Sequence, residues 1–231
     1  QRAAAGLDPW ATPQAYDNAK DFFDTGITWS NSLNVAQMLD KSSYSISLGN
    51  THQDGIISST GMDRYNVKVS ADTKLTNNWS SGFTANYITT SIDKAVTSGN
   101  GLLRTVYAAP PSYDLAGIPS HVDGNQYTQN SFRGSFDNAY WAMDNNKFTE
   151  DTNRFFGNVY ASYQTDFGTT NHKLNAKYMV GVDAYTTHYV DSYGYGSNTG
   201  GGRGQIENYG WTNATYNSLL TINYDWRINE D

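Results

Sequence analysis

Aromatic, acidic and basic side chains gather between about residues 91 and 151, and they are the side chains of this sequence best suited to contacting a ligand. Flat aromatic rings stack on sugar rings or peptide side chains, while carboxylates and guanidinium groups hydrogen-bond to hydroxyls and carbonyls. Such a mixture fits a polar ligand in a concave site. The predicted substrate-binding residues are Tyr107, Tyr113, Asp123, Arg133 and Asp144, with Tyr127 and Trp141 as further aromatic candidates.

Catalysis is not indicated by the remaining reactive residues. The four histidines are scattered, without the His-Glu-x-x-His spacing of a metalloprotease. No serine lies in the Gly-x-Ser-x-Gly turn of a hydrolase. The sequence therefore predicts a protein that is not an enzyme and that uses no cofactor.

Several carboxylates in the same stretch raise the question of a metal ion. They are Asp123, Asp137, Asp144, Glu150 and Asp151. Aspartate oxygens suit calcium, but the spacing of an EF-hand loop is missing. The preferred interpretation is a set of solvated loop acids, and no metal site is predicted.

The composition excludes other classes of protein and favours strands. Only 38% of the residues are hydrophobic and the mean hydropathy is −0.64, whereas aromatic residues make up 14%. Aromatic and β-branched residues favour strands. The net charge of −7 is spread along the chain, which argues against nucleic acid as a partner. The absence of cysteine excludes disulfides and thiolate metal sites.

A membrane location would require strands rather than helices. No apolar stretch has the length of a membrane-spanning helix, and the first residues, 1–5, do not resemble a signal peptide. Strands can cross a bilayer only in a closed barrel, in which every backbone group is paired.

Seven segments alternate apolar and polar residues with the period of two that marks a strand with one apolar face. In the clearest of them, Tyr65, Val67 and Val69 alternate with Lys68 and Ser70. The predicted strands are residues 27–39, 43–50, 65–75, 79–87, 155–167, 174–184 and 214–226. Most have ten residues or more, the length of a tilted membrane-spanning strand.

The connections between these strands alternate between short and long. Residues 40–41, 76–78 and 168–171 are short, whereas 53–61, 91–151 and 192–204 are long. Outer-membrane barrels have short periplasmic turns and long extracellular loops in this alternation. The short turns are therefore predicted to face the periplasm, and residues 91–151 to form a long extracellular loop.

Aromatic residues fall at both ends of the apolar faces. Trp79, Phe167, Tyr224 and Trp226 lie beside short turns, and Tyr65, Tyr87, Phe155, Tyr185 and Tyr216 lie toward long loops. A rise of roughly 3.3 Å per residue and a tilt of about 40° separate the two groups by ~20 to 30 Å. This separation brackets the height of the apolar band of an outer-membrane barrel.

The predicted fold class is all-β, an antiparallel transmembrane β-barrel segment with long extracellular loops. A soluble β-sandwich also has one-sided strands, but it rarely combines strands of this length with lysines and aspartates on the inner face. Bacterial barrels normally contain an even number of strands. Seven strands therefore predict that residues 1–231 are part of a larger barrel in the bacterial outer membrane.

Two groups of motifs resemble a known family. The first covers residues 22–32 (FFDTGITWSNS), 41–50 (KSSYSISLGN) and 53–56 (QDGI); the second covers 137–141 (DNAYW) and 153–158 (NRFFGN). Both are similar to motifs of the SusC/RagA-type TonB-dependent transporters of Gram-negative bacteria. The sequence departs from them at residues 37–39 (QML), where a Gly-Gly pair is typical before the turn, at Ser45, where Arg is common, and at Ala139, where Pro is common.

The resemblance implies import of a bulky nutrient, an oligosaccharide or a peptide, across the outer membrane. A SusD-like lipoprotein would close over the loops, and the TonB complex would supply energy through parts of the protein outside this chain, including the plug domain. Tyr140 and Trp141 belong to the family-like motif, whereas substrates differ between members. These two residues are therefore predicted to anchor the loop or to meet the lid.

Two other classes of protein stay open. A non-transporting surface barrel or adhesin would bind glycan or protein through its loops, with no plug and no lipoprotein partner. An outer-membrane hydrolase on a small barrel is disfavoured, because a nucleophile and its base are not recognisable.

Overall fold

Seven long antiparallel strands form the main sheet of the protein. The computed structural model describes Thr12 and residues 14–96, 101–168 and 171–228, of which 59% are in strands. The strands follow the order β1 (Thr28–Met38), β2 (Ser42–Asp54), β3 (Gly61–Lys74), β4 (Trp79–Lys94), β7 (Lys147–Thr165), β8 (His172–Tyr193) and β9 (Gln205–Trp226). The all-β prediction is confirmed. Within the described residues β1 and β9 are free edges, so the sheet is not a closed barrel.

Each predicted strand is present, and several continue further toward the long loops. Residues 91–94 and 148–151, predicted as loop, pair with one another at the ends of β4 and β7. The loop between these strands therefore covers 95–146 rather than 91–151. The strand prediction stopped short of the extensions because their apolar residues, Ile92 and Phe148, are isolated and do not make an alternating run. Backbone pairing continues the sheet through them.

The register places the predicted apolar residues on one face. One row across the sheet consists of Leu33, Leu48, Val67, Tyr87, Phe155, Ala184 and Ala214. Tyr185 is an exception to the prediction, since it pairs with Arg154 and Asn213 on the polar face. Its assignment to the apolar face was wrong, because successive side chains of a strand point to opposite faces and Ala184 occupies that position.

The hydrophobic core lies beside the sheet, in a compact body that we call the loop cap. The loop cap consists of the described residues among 14–26, 55–60, 95–146 and 194–204. Its elements are α1 (Asn18–Phe22), α2 (Leu102–Ala108), β5 (His121–Val122), β6 (Asn125–Gln129), α3 (Ala139–Asn145) and a 3-10 helix (Thr199–Gly202). Its buried apolar residues are Phe22, Ile57, Val96, Leu102, Val106, Leu115, Phe136, Ala139, Trp141 and Ala142. Among the described strand residues, only Phe148 is a buried hydrophobic one.

Two sequence-level interpretations fall on residues outside the described ranges. Residues 1–5, compared above with a signal peptide, are among them, and so are Thr169 and Thr170 of the third short turn. In the part of the chain that is described, no helix is both long and apolar enough to cross a membrane.

Candidate functional site

The five predicted substrate-binding residues lie on separate parts of the loop cap. The ring partners are Phe23 for Tyr107, Phe132 for Tyr113 and Phe136 for the guanidinium of Arg133. Asp123 has a φ of 50° beside the β5–β6 turn, and Asp144 is exposed on α3. No hydrogen bond, ion pair or ring contact among the described residues joins any two of the five. They do not form a single constellation in this structure.

Tyr140 and Trp141 occupy positions that suit an anchoring role. Trp141 is fully buried, and its indole Nε1 donates to the carbonyl of Gln126 at 2.9 Å. Tyr140 packs edge-on against Phe22 with ring centroids 5.3 Å apart. Its hydroxyl donates to the carbonyl of Asp21 at 3.2 Å, and partial burial raises the pKa of Tyr140. The pair therefore fastens α3 to α1 and to the β5–β6 hairpin.

Asp137 corrects the interpretation of the loop carboxylates as solvated acids. It is buried, and its Oδ1 accepts from the Gln129 amide at 2.7 Å and from the backbone and side-chain nitrogens of Asn198 at 2.7 and 2.8 Å. Its Oδ2 accepts from the hydroxyl of Ser197 at 2.6 Å. We call this group the Asp137 latch, because it joins the 95–146 loop to the 194–204 loop. Nothing in the local sequence distinguishes Asp137 from an exposed aspartate.

The other carboxylates of this stretch have separate surroundings. Glu150 forms an ion pair with Lys94 at 3.3 Å, and Asp151 accepts from the hydroxyl of Ser91 at 2.6 Å. Asp123 and Asp144 are exposed. Across the described ranges, no three histidine or acidic side chains are grouped so that they could hold a metal ion.

A cleft of about 780 Å³ lies between the loop cap and the polar face of the sheet. The loop-end residues of six strands line it: Thr28, Gln53, Asp54, Lys94, Phe148, Asp191, Tyr193 and Tyr209. Thr28 and Tyr209 belong to the first and last strands of the sheet, yet both line this one cleft. The sheet is therefore curved around its polar face, and the cleft is a concave place for a ligand.

Three neighbouring aromatic residues continue this cleft along β8 and β9. We call Tyr189, Tyr209 and Trp211 the aromatic ledge. The rings of Tyr189 and Tyr209 are nearly parallel, with an interplanar angle of 9° and centroids 5.0 Å apart. Trp211 lies 5.2 Å from Tyr189. Tyr209 and Trp211 are 43% and 51% exposed, so their outer surfaces are open to a ligand.

Charged groups surround the aromatic ledge. The ammonium of Lys94 lies 4.4 Å from the centre of the Tyr189 ring and pairs with Glu150. The hydroxyl of Tyr209 donates to Asp191 at 3.2 Å. Desolvation, followed by the charges of Glu150 and Asp191 respectively, raises the pKa of Tyr189 and of Tyr209. Both hydroxyls are therefore protonated donors at neutral pH.

The aromatic ledge was missed in the sequence because it is assembled across two strands. Tyr189 lies beyond the predicted end of its strand, and Tyr209 and Trp211 precede the predicted start of theirs. The alternation of Tyr209 and Trp211 with Asn208, Gly210 and Thr212 is a period-two signal, but its large residues face the polar side. Only the pairing of Tyr189 with Tyr209 brings the rings together.

Further from the loop cap, hydrogen bonds and charges cover the polar face. The hydroxyl of Tyr160 donates to Asp72 at 2.6 Å, and the ammonium of Lys177 lies 3.9 Å from the centre of the Tyr160 ring. Arg154 pairs with Asp183, with Nε donating to Oδ1 at 2.8 Å. Hydrogen-bonded and charged groups thus recur along this face of the sheet away from the loop cap.

No protein-family model and no curated protein matches the chain.

Proposed function

We propose that this chain is part of a TonB-dependent outer-membrane transporter of the SusC/RagA type, which imports a bulky oligosaccharide or peptide. The observation that carries this proposal is the apolar face of the sheet, on which no other described element packs. Large residues along it, including Leu33, Val159 and Ile222, are 58%, 51% and 62% exposed. Soluble monomers rarely expose an apolar patch of this extent. Lipid acyl chains provide the cover that such a face requires.

The apolar face has a clear upper limit, which supports its placement in a bilayer. The row that contains Tyr65 is followed toward the loops by a row with His52, Asp63, Ser91, Asp151 and His188. Apart from Tyr65, that first row is polar, with Asn50, Thr89 and Asn153. The same face thus changes from the apolar row of Leu33 and Tyr87 to the charged row in two rows. Aromatic residues at such a boundary are typical of the interface between membrane and water.

The stagger of the hairpins supports a barrel rather than a flat sheet. Met38–Ser43 closes the first hairpin, and Ser43 shares a row with Asp72. The next hairpin closes two residues beyond Asp72, at Lys74. Strands that tilt around a barrel axis require such a stepwise shift in register.

Residues of the family-like motifs form part of the interior of the loop cap. Phe22, Asp137 and Trp141 are all buried there. In the proposed transporter the loop cap lies outside the cell, where a SusD-like lipoprotein would close over it, and the polar face lines the path of the nutrient. The TonB complex would act through parts of the protein beyond this chain.

A surface adhesin is the second candidate, and one observation favours it. Tyr127 and Tyr195 form an edge-on pair on the loop cap, with centroids 5.5 Å apart and exposures of 51% and 61%. Exposed tyrosine pairs are common in surfaces that bind other molecules. Such a protein would bind its ligand without importing it.

Isolation of the native protein distinguishes the two. The transporter proposal expects the protein in the detergent-extracted outer-membrane fraction, together with a lipoprotein, and expects deletion of its gene to abolish uptake of one class of nutrient. An outer-membrane protein without a lipoprotein partner, whose deletion impairs surface adhesion but leaves uptake unchanged, would support the adhesin instead.

A further inference from the structure

The aromatic ledge differs from the loop residues that the sequence singled out, since it lies on the polar face beneath the loop cap. Tyr209 lines the cleft itself, and Trp211 follows two residues later on the same side of β9. Their spacing along the strand is about 7 Å, because a strand rises roughly 3.4 Å per residue. The ledge therefore offers adjacent flat surfaces that lead out of the cleft along the polar face.

The hydrogen-bonding groups around the ledge are placed beside these rings. Asp191 accepts from the hydroxyl of Tyr209 and lines the same cleft. Lys94 and Glu150 pair with each other next to Tyr189, at side-chain exposures of 32% and 27%. A sugar ring that carries hydroxyl groups matches this arrangement, since its C–H face can contact the aromatic surface while its hydroxyls meet the carboxylates.

The balance of charge at the ledge narrows the choice of ligand. Lys94 neutralises Glu150. Glu207 accepts from the Gln205 amide at 2.6 Å, and neither Glu207 nor Asp191 has a cation within ion-pair distance among the described residues. The ledge is therefore acidic overall, and a ligand with carboxylate or sulfate groups would meet repulsion there.

We infer that the aromatic ledge is a binding site for uncharged saccharide units, and that its acidic rim excludes anionic glycans. The inference rests on the proposed function, because it names the substrate class that the transporter would carry past its polar face. The site itself is defined by Tyr189, Tyr209 and Trp211 with Asp191 and Glu207 at the rim.

Calorimetry on the full-length protein, purified in detergent from outer membranes, tests the site. The probes are maltohexaose, cellohexaose, xylohexaose and mannohexaose as neutral oligosaccharides, hexagalacturonate as an acidic one, and a mixture of neutral decapeptides. We expect a neutral hexasaccharide to bind and Trp211→Ala to weaken it by about tenfold, whereas Trp211→Phe retains a ring and loses less. Asp191→Asn should raise the affinity for hexagalacturonate.

Tyr216→Ala is the matched control, because it removes an aromatic residue from the same strand on the apolar face, where Tyr216 is 77% exposed. It should leave binding unchanged, which separates a lost contact from general damage to β9. Binding of the decapeptides that depends on Trp211, or no binding of any neutral hexasaccharide, would overturn the inference.

The same preparation separates the two proposals. If a lipoprotein co-purifies and uptake depends on the gene, but Trp211→Ala binds saccharide like the natural protein, the ledge assignment is wrong and the transporter proposal stands. If saccharide binding depends on Trp211 but no uptake depends on the gene, the transporter proposal is wrong and the ledge assignment stands.

Discussion

At the scale of single residues, the loop cap depends on Asp137, whose carboxylate accepts all four hydrogen bonds of the latch. Asp137→Ala removes the acceptor of the buried Ser197 hydroxyl and of the less buried nitrogens of Gln129 and Asn198, and a buried donor left unpaired costs about 1 to 3 kcal/mol. We expect the 194–204 loop to detach locally while the sheet stays intact. Hydrogen exchange measured by mass spectrometry should show the Asn198 amide exchanging on the order of 100-fold faster.

Two further variants make this result specific. Asp137→Asn keeps the Oδ1 acceptor and should accelerate exchange much less. Asp144→Ala removes an exposed aspartate of the same loop that has no partner among the described residues, and should change nothing. Equal exchange in Asp137→Ala and in the natural protein would show that the latch does not hold the two loops together.

His52 provides a pH-dependent contact above the apolar band. Its Nδ1 lies 2.8 Å from Asp63 and its Nε2 lies 3.3 Å from Asp54, and the hydrogen bond and charge of Asp63 raise the pKa of His52. Because the pKa of His52 is raised in the folded state, its contact with Asp63 stabilises the folded protein at low pH. This stabilisation is complete below the pKa that His52 has in the unfolded chain. It is lost as the pH rises through the pKa that His52 has in the folded protein.

We expect an NMR titration to give His52 a pKa above the ordinary histidine value in the natural protein. In Asp63→Asn the pKa should fall back toward that value, while Asp144→Asn should leave it unaltered. An unchanged His52 titration in Asp63→Asn would mean that the β2–β3 contact is not formed in solution.

At the scale of elements, the strands could be predicted from the sequence and the loop cap could not. Alternation identifies strands such as β3, because each apolar residue must lie on the same face. The spacing of Leu102, Thr105 and Val106, all buried, is helical, but a helix of seven residues is too short for a periodic signal to stand out. The site is harder still, because the aromatic ledge and the Asp137 latch are made by residues of different elements.

Cross-linking tests the register on which the assignment of faces depends. Val67 pairs with Tyr87, and both lie on the apolar face, whereas Asn86 points to the other side. Because the chain contains no cysteine, Val67→Cys with Tyr87→Cys gives a defined pair. We expect this pair to form a disulfide on mild oxidation, since paired residues have Cα atoms about 4.5 to 5.5 Å apart.

Val67→Cys with Asn86→Cys is the control, and it should stay reduced. Rapid oxidation of the control pair, with none in the first pair, would show a shift of one residue. Such a shift would exchange the apolar and polar faces of the hairpin.

At the scale of the whole molecule, the large sheet does not form the hydrophobic core, as the sheet of a soluble domain does. The hydrophobic core belongs to the loop cap, whereas the large sheet displays apolar side chains on one face and ion pairs on the other. Three strands have 19 to 22 residues, which is more than the roughly 10 residues that cross a bilayer. The sheet therefore continues beyond the apolar band. In the proposed transporter, this extension would carry the aromatic ledge above the membrane and under the loop cap.

Tryptophan fluorescence in brominated lipid tests this placement directly. Trp226 lies on the apolar face and is 60% exposed, Trp211 lies on the polar face of the same strand, and Trp141 is buried in the loop cap. In variants that retain one of these tryptophans, with the others replaced by Phe, only Trp226 should be quenched by bromine on the acyl chains. A short-range quencher dissolved in lipid reaches only side chains that face lipid.

The pattern among the three tryptophans separates the explanations. Quenching of Trp211 without Trp226 would mean that the polar face meets lipid, which would contradict the assignment of the two faces. Quenching of none of them would show that lipid does not cover the sheet, and the transporter proposal would then fail. Quenching of Trp226 alone requires that the apolar face is embedded while the aromatic ledge stays in water, because both residues lie on β9 and differ in the side of the sheet that they face.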